Sequence, residues 1–179
     1  GDLATYTYNT HGGIQTVSLR HGTTTQPIVA DATYNAAGQL LILTYGNGTI
    51  ATYTYNPQTL RLDQLKTTSP SGTLQDFSYA FDGVGNVTGI TDRIHTATQA
   101  FQYDPLNRLT QAVGAYGTLS YAYDPIGNMT TKEGTTLSYG LPNGAKPHAV
   151  TAVTSGAGTT TLTYDPNGNL LAKNTTQAQ

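Results

Sequence analysis

One short motif recurs along the whole chain and constrains its fold more than any other feature. An aromatic residue is followed by Asp or Asn, two loop residues, usually Gly, one further residue and then an apolar residue. Full copies occupy residues 8–14, 34–40, 81–87, 103–109, 123–129 and 164–170, and a looser copy begins at Tyr55. When the looser copy is included, the first six copies along the chain begin roughly 20–26 residues apart. This period indicates a repeat architecture in which each unit packs on its neighbours.

Each copy has the sequence pattern of a β-hairpin. Apolar side chains alternate before the turn, as in Tyr6 and Tyr8 or Tyr121 and Tyr123, which places each pair on one face of a strand. Asp accepts backbone N–H bonds two residues on, Pro presets φ, and Gly takes the left-handed conformation. A type I turn closed by a left-handed Gly is a common hairpin loop. Asn107 replaces that Gly in one copy, and Asn tolerates positive φ.

The residues predicted to build the repeat turns share these positions in the motif. They are Tyr8, Asn9, Gly12, Tyr34, Asn35, Gly38, Tyr55, Asn56, Phe81, Asp82, Gly85, Tyr103, Asp104, Asn107, Tyr123, Asp124, Gly127, Tyr164, Asp165 and Gly168. The gap between Tyr123 and Tyr164 is close to two periods, and Tyr139 marks an eighth copy that has lost its acidic residue.

Glycine-rich breaks separate one hairpin from the next, at 46–48, 114–117 and 156–158. The result is about two short strands per period and about sixteen in all. No stretch carries the apolar spacing of an amphipathic helix. The fold class predicted is therefore all-β: tandem β-hairpin repeats in a continuous curved, spiralling sheet.

Composition limits the classes of partner and ligand. Charged residues make up 10% of the chain and the net charge is −2, which is no electrostatic footprint for nucleic acid. No apolar run reaches the length of a transmembrane helix, so no membrane span is predicted. Cysteine is absent, which excludes disulfides and thiolate metal sites. We predict no cofactor and no metal.

Several residue types suggest chemistry, but the repeat explains them more simply. The Asp-Pro pairs at 104, 124 and 165 could act as catalytic carboxylates, yet Asn replaces Asp in the copies at 9, 35 and 56, which a turn tolerates and proton transfer does not. Residues 165–169 imitate the start of a calcium loop, but Leu170 stands where that loop needs Gly. The four histidines are isolated in sequence. No catalytic residue is predicted, and the chain is not expected to be an enzyme.

A second function stays open beside a structural one. The chain has 13 tyrosines, and aromatic faces stack on sugars. Most of these tyrosines lie in the repeat register, where cross-strand packing accounts for them. Tyr45, Tyr116 and Tyr139 lie outside that register and are the candidates for exposure in a glycan- or protein-binding module of a cell surface or filament.

The motif resembles that of the YD-repeat (Rhs) family, which includes bacterial Rhs toxins, shell subunits of ABC-type toxin complexes, and teneurin ectodomains. The resemblance covers essentially the whole chain and is closest at residues 103–110 and 123–129, with a further similarity at Lys146–Val153. In that family the hairpins form a sheet that spirals into a hollow shell. The toxin members also carry a closing segment with a self-cleavage site, which this sequence does not match.

The resemblance implies a structural role. Residues 1–179 are predicted to be a single array of about eight repeats, a fragment of a longer shell. Such a segment would scaffold or enclose a C-terminal polypeptide such as a toxin domain, in a secreted or surface-located bacterial protein. Its expected partners are neighbouring repeats of the parent chain and the enclosed polypeptide. Open sheet edges also predict self-association.

Overall fold

A computed structural model describes residues 1–140 and 146–178, and every regular element in those residues is a β-strand. The strands are β1 Leu3–Tyr8, β2 Ile14–His21, β3 Thr24–Tyr34, β4 Leu40–Tyr45, β5 Ile50–Tyr55, β6 Leu62–Ser69, β7 Gly72–Phe81, β8 Val87–Asp92, β9 Ala97–Tyr103, β10 Leu109–Gly114, β11 Gly117–Tyr123, β12 Met129–Lys132, β13 Thr135–Tyr139, β14 Val150–Ser155, β15 Gly158–Tyr164 and β16 Leu170–Gln177.

The sixteen strands follow sequence order in one antiparallel sheet, as expected for consecutive hairpins. The prediction of an all-β fold built from tandem hairpins is confirmed. Each motif turn joins an odd-numbered strand to the even-numbered strand after it. The glycine-rich breaks at 46–48, 114–117 and 156–158 make three of the other connections. The chain divides into two compact units, Gly1–Gln99 and Ala100–Gln179.

In the first unit, side chains on the two faces of the sheet differ in character. Tyr53, Leu65 and Phe77 lie directly opposite one another on three neighbouring strands and form an apolar row. Thr52, Lys66 and Asp76 form the matching row on the other face. Because opposed residues share a face of a sheet, the period-two pattern of the sequence produces an apolar face and a polar face.

The second unit repeats this arrangement. Phe101, Ala112 and Leu119 oppose one another on β9, β10 and β11. Along β11 the half-buried Leu119, Tyr121 and Tyr123 alternate with exposed residues. The same two-faced pattern therefore results from different sequences in the two units.

Little of the described chain is fully buried. The buried apolar residues are Ala32, Ala51 and Ala112, at 4% exposure each. Hydrophobic burial within a layered core therefore contributes less here than in a globular domain. Hydrogen bonds between neighbouring strands and turns consequently determine much of how the repeats are positioned. No helix in the described residues is long and apolar enough to cross a membrane.

Candidate functional site: the Asx-turn array

Seven motif turns share one backbone arrangement. In each, the backbone N–H of the Asp or Asn donates to the carbonyl oxygen of a residue that we call the turn-end residue, at 2.8–3.0 Å. The turn-end residues are Gly13, Gln39, Arg61, Asn86, Arg108, Asn128 and Asn169. Because all seven are defined by the same bond, their side chains occupy equivalent positions in the repeat.

The side chain of the Asp or Asn holds each turn closed. Asp124 Oδ1 accepts from the backbone N–H of Ile126 at 3.0 Å and of Asn128 at 2.9 Å. Asn35 Oδ1 accepts the equivalent pair of bonds from Ala37 at 3.0 Å and Gln39 at 2.9 Å. The amide of Asn and the carboxylate of Asp therefore accept the same backbone hydrogen bonds, as the exchange of Asp and Asn among copies indicates.

The position before the turn-end residue has positive φ. Gly85, Gly127 and Gly168 have φ of 110°, 95° and 93°, and Asn107 has φ of 62°. The looser copy differs, because Leu60 occupies this position with φ of 57° and donates its N–H to Asn56 in a turn one residue longer. The sequence contained a signal for this in the extra residue between Asn56 and the apolar Leu62.

Replacing Gly127 with Val should reduce the free energy of unfolding by about 1–3 kcal/mol, because a β-branched residue is strained at positive φ. A Cβ at this position would meet no atom within 4 Å, so the loss measures backbone conformation and not crowding. Thermal unfolding of the variant checks this. An unchanged melting temperature would refute the turn assignment.

Tyrosines at the start of the motif join each repeat to the one before it. Tyr123 donates its phenol O–H to the carbonyl oxygen of Leu109 at 3.0 Å, and Leu109 begins the return strand of the preceding repeat. The same bond runs from Tyr34 to Ile14, Tyr55 to Leu40, Tyr139 to Met129 and Tyr164 to Val150, at 2.7–3.0 Å. We call this bond the tyrosine staple. It explains why the motif favours Tyr where Phe would fill the same apolar space.

Phe81 gives a matched test of the staple, since it occupies the same position without a hydroxyl group. By the register of the other copies, a Tyr at 81 would donate to the carbonyl of Leu62, which begins the preceding return strand. We expect Tyr123→Phe to lose about 0.5–1.5 kcal/mol and Phe81→Tyr to gain stability. Chemical denaturation of both variants checks this pair. A loss in both would contradict the staple.

Side chains of the turn-end residues make a second set of links, from one turn to the next. Arg61 Nη1 donates to the carbonyl of Asp82 at 2.6 Å, and Arg108 Nη1 donates to the carbonyl of Asp124 at 3.2 Å. Gln39 donates to the carbonyl of Leu60, and Asn128 donates to the carbonyl of Pro147. Lys146, which is not a turn-end residue, makes a similar bond to the carbonyl of Asp165. Consecutive turns are thereby connected by side chains that the hairpin pattern alone does not assign.

The most buried polar side chain of the described residues belongs to Asn128, at 7% exposure. Its Nδ2 donates to Asp124 Oδ2 at 2.8 Å and to the carbonyl of Pro147 at 2.9 Å, and its Oδ1 lies 2.6 Å from His148 Nδ1. Sequence reasoning missed this network. The only signal was the irregular segment that includes Pro147 and His148, where the motif has lost its Asp.

Comparison with known proteins agrees with this geometry. The model of the RHS Repeat family matches residues 81–119. The toxin subunit YenC2 of Yersinia entomophaga is 39% identical over 105 residues, which is 50% of this chain and 11% of that protein. The toxin subunit YenC1 of the same organism is 34% identical over 132 residues, which is 64% of this chain and 13% of that protein. The motif over residues 81–119 is thus that of an RHS repeat, and the chain is similar to two bacterial toxin subunits.

Solved structures extend the match to nearly the whole YD-repeat chain. The TcdB2–TccC3 structure aligns with 95% of it at a TM-score of 0.71 and 25% identity, and the TcdB2–TccC3–Cdc42 structure at 0.72 and 23%. Each alignment covers 11% of the solved chain. The YD-repeat chain thus spans only a small part of the length of its relatives.

Each of the four turn carboxylates of the motif accepts hydrogen bonds from its own turn. The hydrogen bond from the backbone of Arg108 lowers the pKa of Asp104, and the Asn169 side chain lowers that of Asp165. For Asp82 and Asp124, desolvation raises the pKa but is outweighed by bonds from the turn, so both pKa values are lowered. Such groups are fixed as acceptors, which fits a turn and not proton transfer.

Lowered carboxyl pKa values predict loss of stability in acid. The contribution of Asp165 is fully present above its unfolded pKa and is lost as pH falls through its lower folded pKa. Asp165→Asn should keep the turn, because the exposed Asn169 amide can turn its oxygen toward Asn as Gln39 does toward Asn35. We expect unfolding curves of this variant at pH 3–7 to show a shallower acid limb. An acid limb as steep as that of the wild type would contradict this assignment.

The histidines are separate from one another, and each contacts residues near it. His95 Nδ1 lies 2.6 Å from Asp92 Oδ2, and His21 Nδ1 lies 2.5 Å from Asp2 Oδ1, both at exposed positions. His11 lies in the first turn, next to Thr10. In residues 1–140 and 146–178, no group of three or more His, Cys, Asp or Glu side chains could hold a metal ion.

One of the three tyrosines assigned outside the repeat register was placed wrongly. Tyr139 forms a staple to Met129, and burial raises its pKa. The staple agrees with the prediction that Tyr139 marks an eighth copy of the motif. Tyr45 is half-buried, whereas Tyr116 is 49% exposed in the loop between β10 and β11.

Proposed function

We propose that this YD-repeat chain is a structural segment of a secreted bacterial toxin-complex protein, and that it forms part of a wall around a C-terminal polypeptide. The observation that carries the proposal is the interlocking of successive hairpins. Neighbouring repeats are joined by the β-ladder, as between β10 and β11, and at several junctions also by a tyrosine staple or a turn-end side chain. The two curated relatives are both toxin subunits, which supports this class of protein.

The sheet has the physical properties that a wall needs. A layered core limits the size of a globular domain, whereas nearest-neighbour links let a repeat array extend by adding units. Residues 1–179 would act as a single array of about eight repeats within a longer parent. The distinct apolar and polar faces described in each unit would give such a wall chemically different sides.

The hydrogen bonds of the turn carboxylates support a role without catalysis. Each of Asp82, Asp104 and Asp124 is held by bonds within its own turn, and the same geometry recurs from copy to copy. A catalytic site needs one convergent cluster of ionisable groups, which repeated isolated carboxylates do not supply. The chain would therefore contribute architecture to the parent protein.

Protease protection tests the enclosure directly. The parent protein with its downstream polypeptide is digested with trypsin, and the downstream polypeptide expressed alone is the reference. We expect the polypeptide to resist cleavage in the parent until the repeats are unfolded by denaturant. Cleavage at the same rate in both samples would contradict enclosure. Specific retention on a glycan array, lost in Tyr116→Ala, would instead support a surface-binding module.

A further inference from the structure

A cleft of about 490 Å³ lies between the first and second Asx turns. Its lining includes Asn9, His11, Gly13, Tyr34, Asn35 and Gly38. At this junction the turn-end residue is Gly13, so no side chain extends from it toward the next turn. The cleft thus lies at the position that a turn-end side chain occupies in other repeats.

Two other repeats place an arginine at the equivalent position. The Arg108 guanidinium lies 4.6 Å from the ring centroid of Tyr123 and donates to the carbonyl of Asp124 at 3.2 Å. The Arg61 guanidinium lies 5.7 Å from the ring centroid of Phe81 and donates to the carbonyl of Asp82 at 2.6 Å. Each guanidinium therefore lies against the aromatic ring of the next repeat and donates to the carbonyl of the Asp that follows that ring.

The first junction offers the same two groups. Tyr34 corresponds to Tyr123 in the motif, and a Cβ built on Gly13 would lie 3.2 Å from Tyr34 Cε2. The carbonyl of Asn35, which corresponds to that of Asp124, accepts the turn N–H of Gly38 at 3.0 Å. Among the described residues no side chain donates a hydrogen bond to this carbonyl, whereas Arg108 donates one to the carbonyl of Asp124. A carbonyl oxygen has two lone pairs and can accept a second donor.

We propose that this cleft binds the guanidinium group of an arginine side chain presented by a partner polypeptide. The ring of Tyr34 would take the cation on its face, and the Asn35 carbonyl would accept an N–H. Arginine fits better than lysine because its planar group can stack and donate at once. Asn9 is uncharged where Asp104 pairs with Arg108, so the site lacks that ion pair. We therefore expect millimolar affinity for an isolated arginine side chain.

Binding is tested on the whole chain with N-acetyl-arginine amide as the probe. NMR titration should shift the resonances of Tyr34, Asn35 and His11 at millimolar probe concentration. The lysine analogue has a cation that is not planar, and the citrulline analogue is planar but uncharged. Both should bind at least several-fold more weakly. No shift at these residues, or equal shifts with citrulline, would overturn the proposal.

Filling the cleft from within gives an independent test. Gly13→Arg should be more stable than Gly13→Ala, because both carry the Cβ that approaches Asn9 and Tyr34 and only Arg reaches the carbonyl of Asn35. Gly13→Arg should also abolish binding of N-acetyl-arginine amide. Thr23→Arg adds the same charge in the exposed loop between β2 and β3 and should leave binding unchanged. Retained binding in Gly13→Arg, or no gain over Gly13→Ala, would contradict the site.

Discussion

Asn128→Ala is expected to lower the free energy of unfolding by about 2–4 kcal/mol, because it removes a buried group and leaves its partners without hydrogen bonds. Asn128 is 7% exposed and joins Asp124, Pro147 and His148 in one network. The loss should exceed that of a surface substitution several-fold. Chemical denaturation at neutral pH measures it.

Asn169→Ala is the matched control. Asn169 occupies the same turn-end position in another copy and bonds Asp165 Oδ2 at 2.8 Å, but its side chain is exposed to water. Water can replace the lost donor there, so we expect a loss below about 1 kcal/mol. Equal losses in the two variants would show that the Asn128 network contributes no more than an ordinary turn.

Gly46→Ala is expected to cost about 3 kcal/mol, because the added methyl group has no space. A Cβ on Gly46 would overlap the carbonyl oxygen of Pro27 and lie 3.0 Å from Pro27 Cγ. The obstacle is backbone in the neighbouring strand β3, which cannot move aside without disturbing the bond from Gly46 N–H to Ile28. Thermal and chemical unfolding both measure the effect.

Gly156→Ala controls for the change in residue type. Gly156 also lies in a loop between strands, its φ is not positive, and a Cβ there would meet no atom within 4 Å. We expect this variant to stay within about 0.5 kcal/mol of the wild type. A similar loss in both variants would mean that the close approach of Pro27 to Gly46 does not determine stability.

Local chemistry made much of this fold predictable. Alternating apolar residues before Asp-Pro-x-Gly give a strand and a turn within a few residues, so no distant contact is needed to recognise the hairpin. The substitution of Asn107 for Gly was explained by the same rule, and its φ of 62° agrees. Residue type was therefore sufficient wherever the interaction lies within one repeat.

Links between repeats were not predictable in the same way. The acceptor of each tyrosine staple is a backbone carbonyl. Every residue type has such a carbonyl, so the sequence does not reveal which residue accepts the bond. The strand register determines that residue. The bond from Tyr139 to Met129 was not predicted for the same reason, although Tyr139 was identified as the start of an eighth copy. The long reach of Arg61 to Asp82 likewise depends on how neighbouring turns are spaced.

Native-state hydrogen exchange in Tyr123→Phe tests the central claim that successive repeats are locked together by local links. In a nearest-neighbour array, a broken link should affect the repeats that it joins. We predict faster exchange in β10 and β11, on either side of the lost Leu109–Tyr123 bond, and unchanged exchange in β15 and β16. Uniformly faster exchange throughout the second unit, or no change at β10 and β11, would contradict the account.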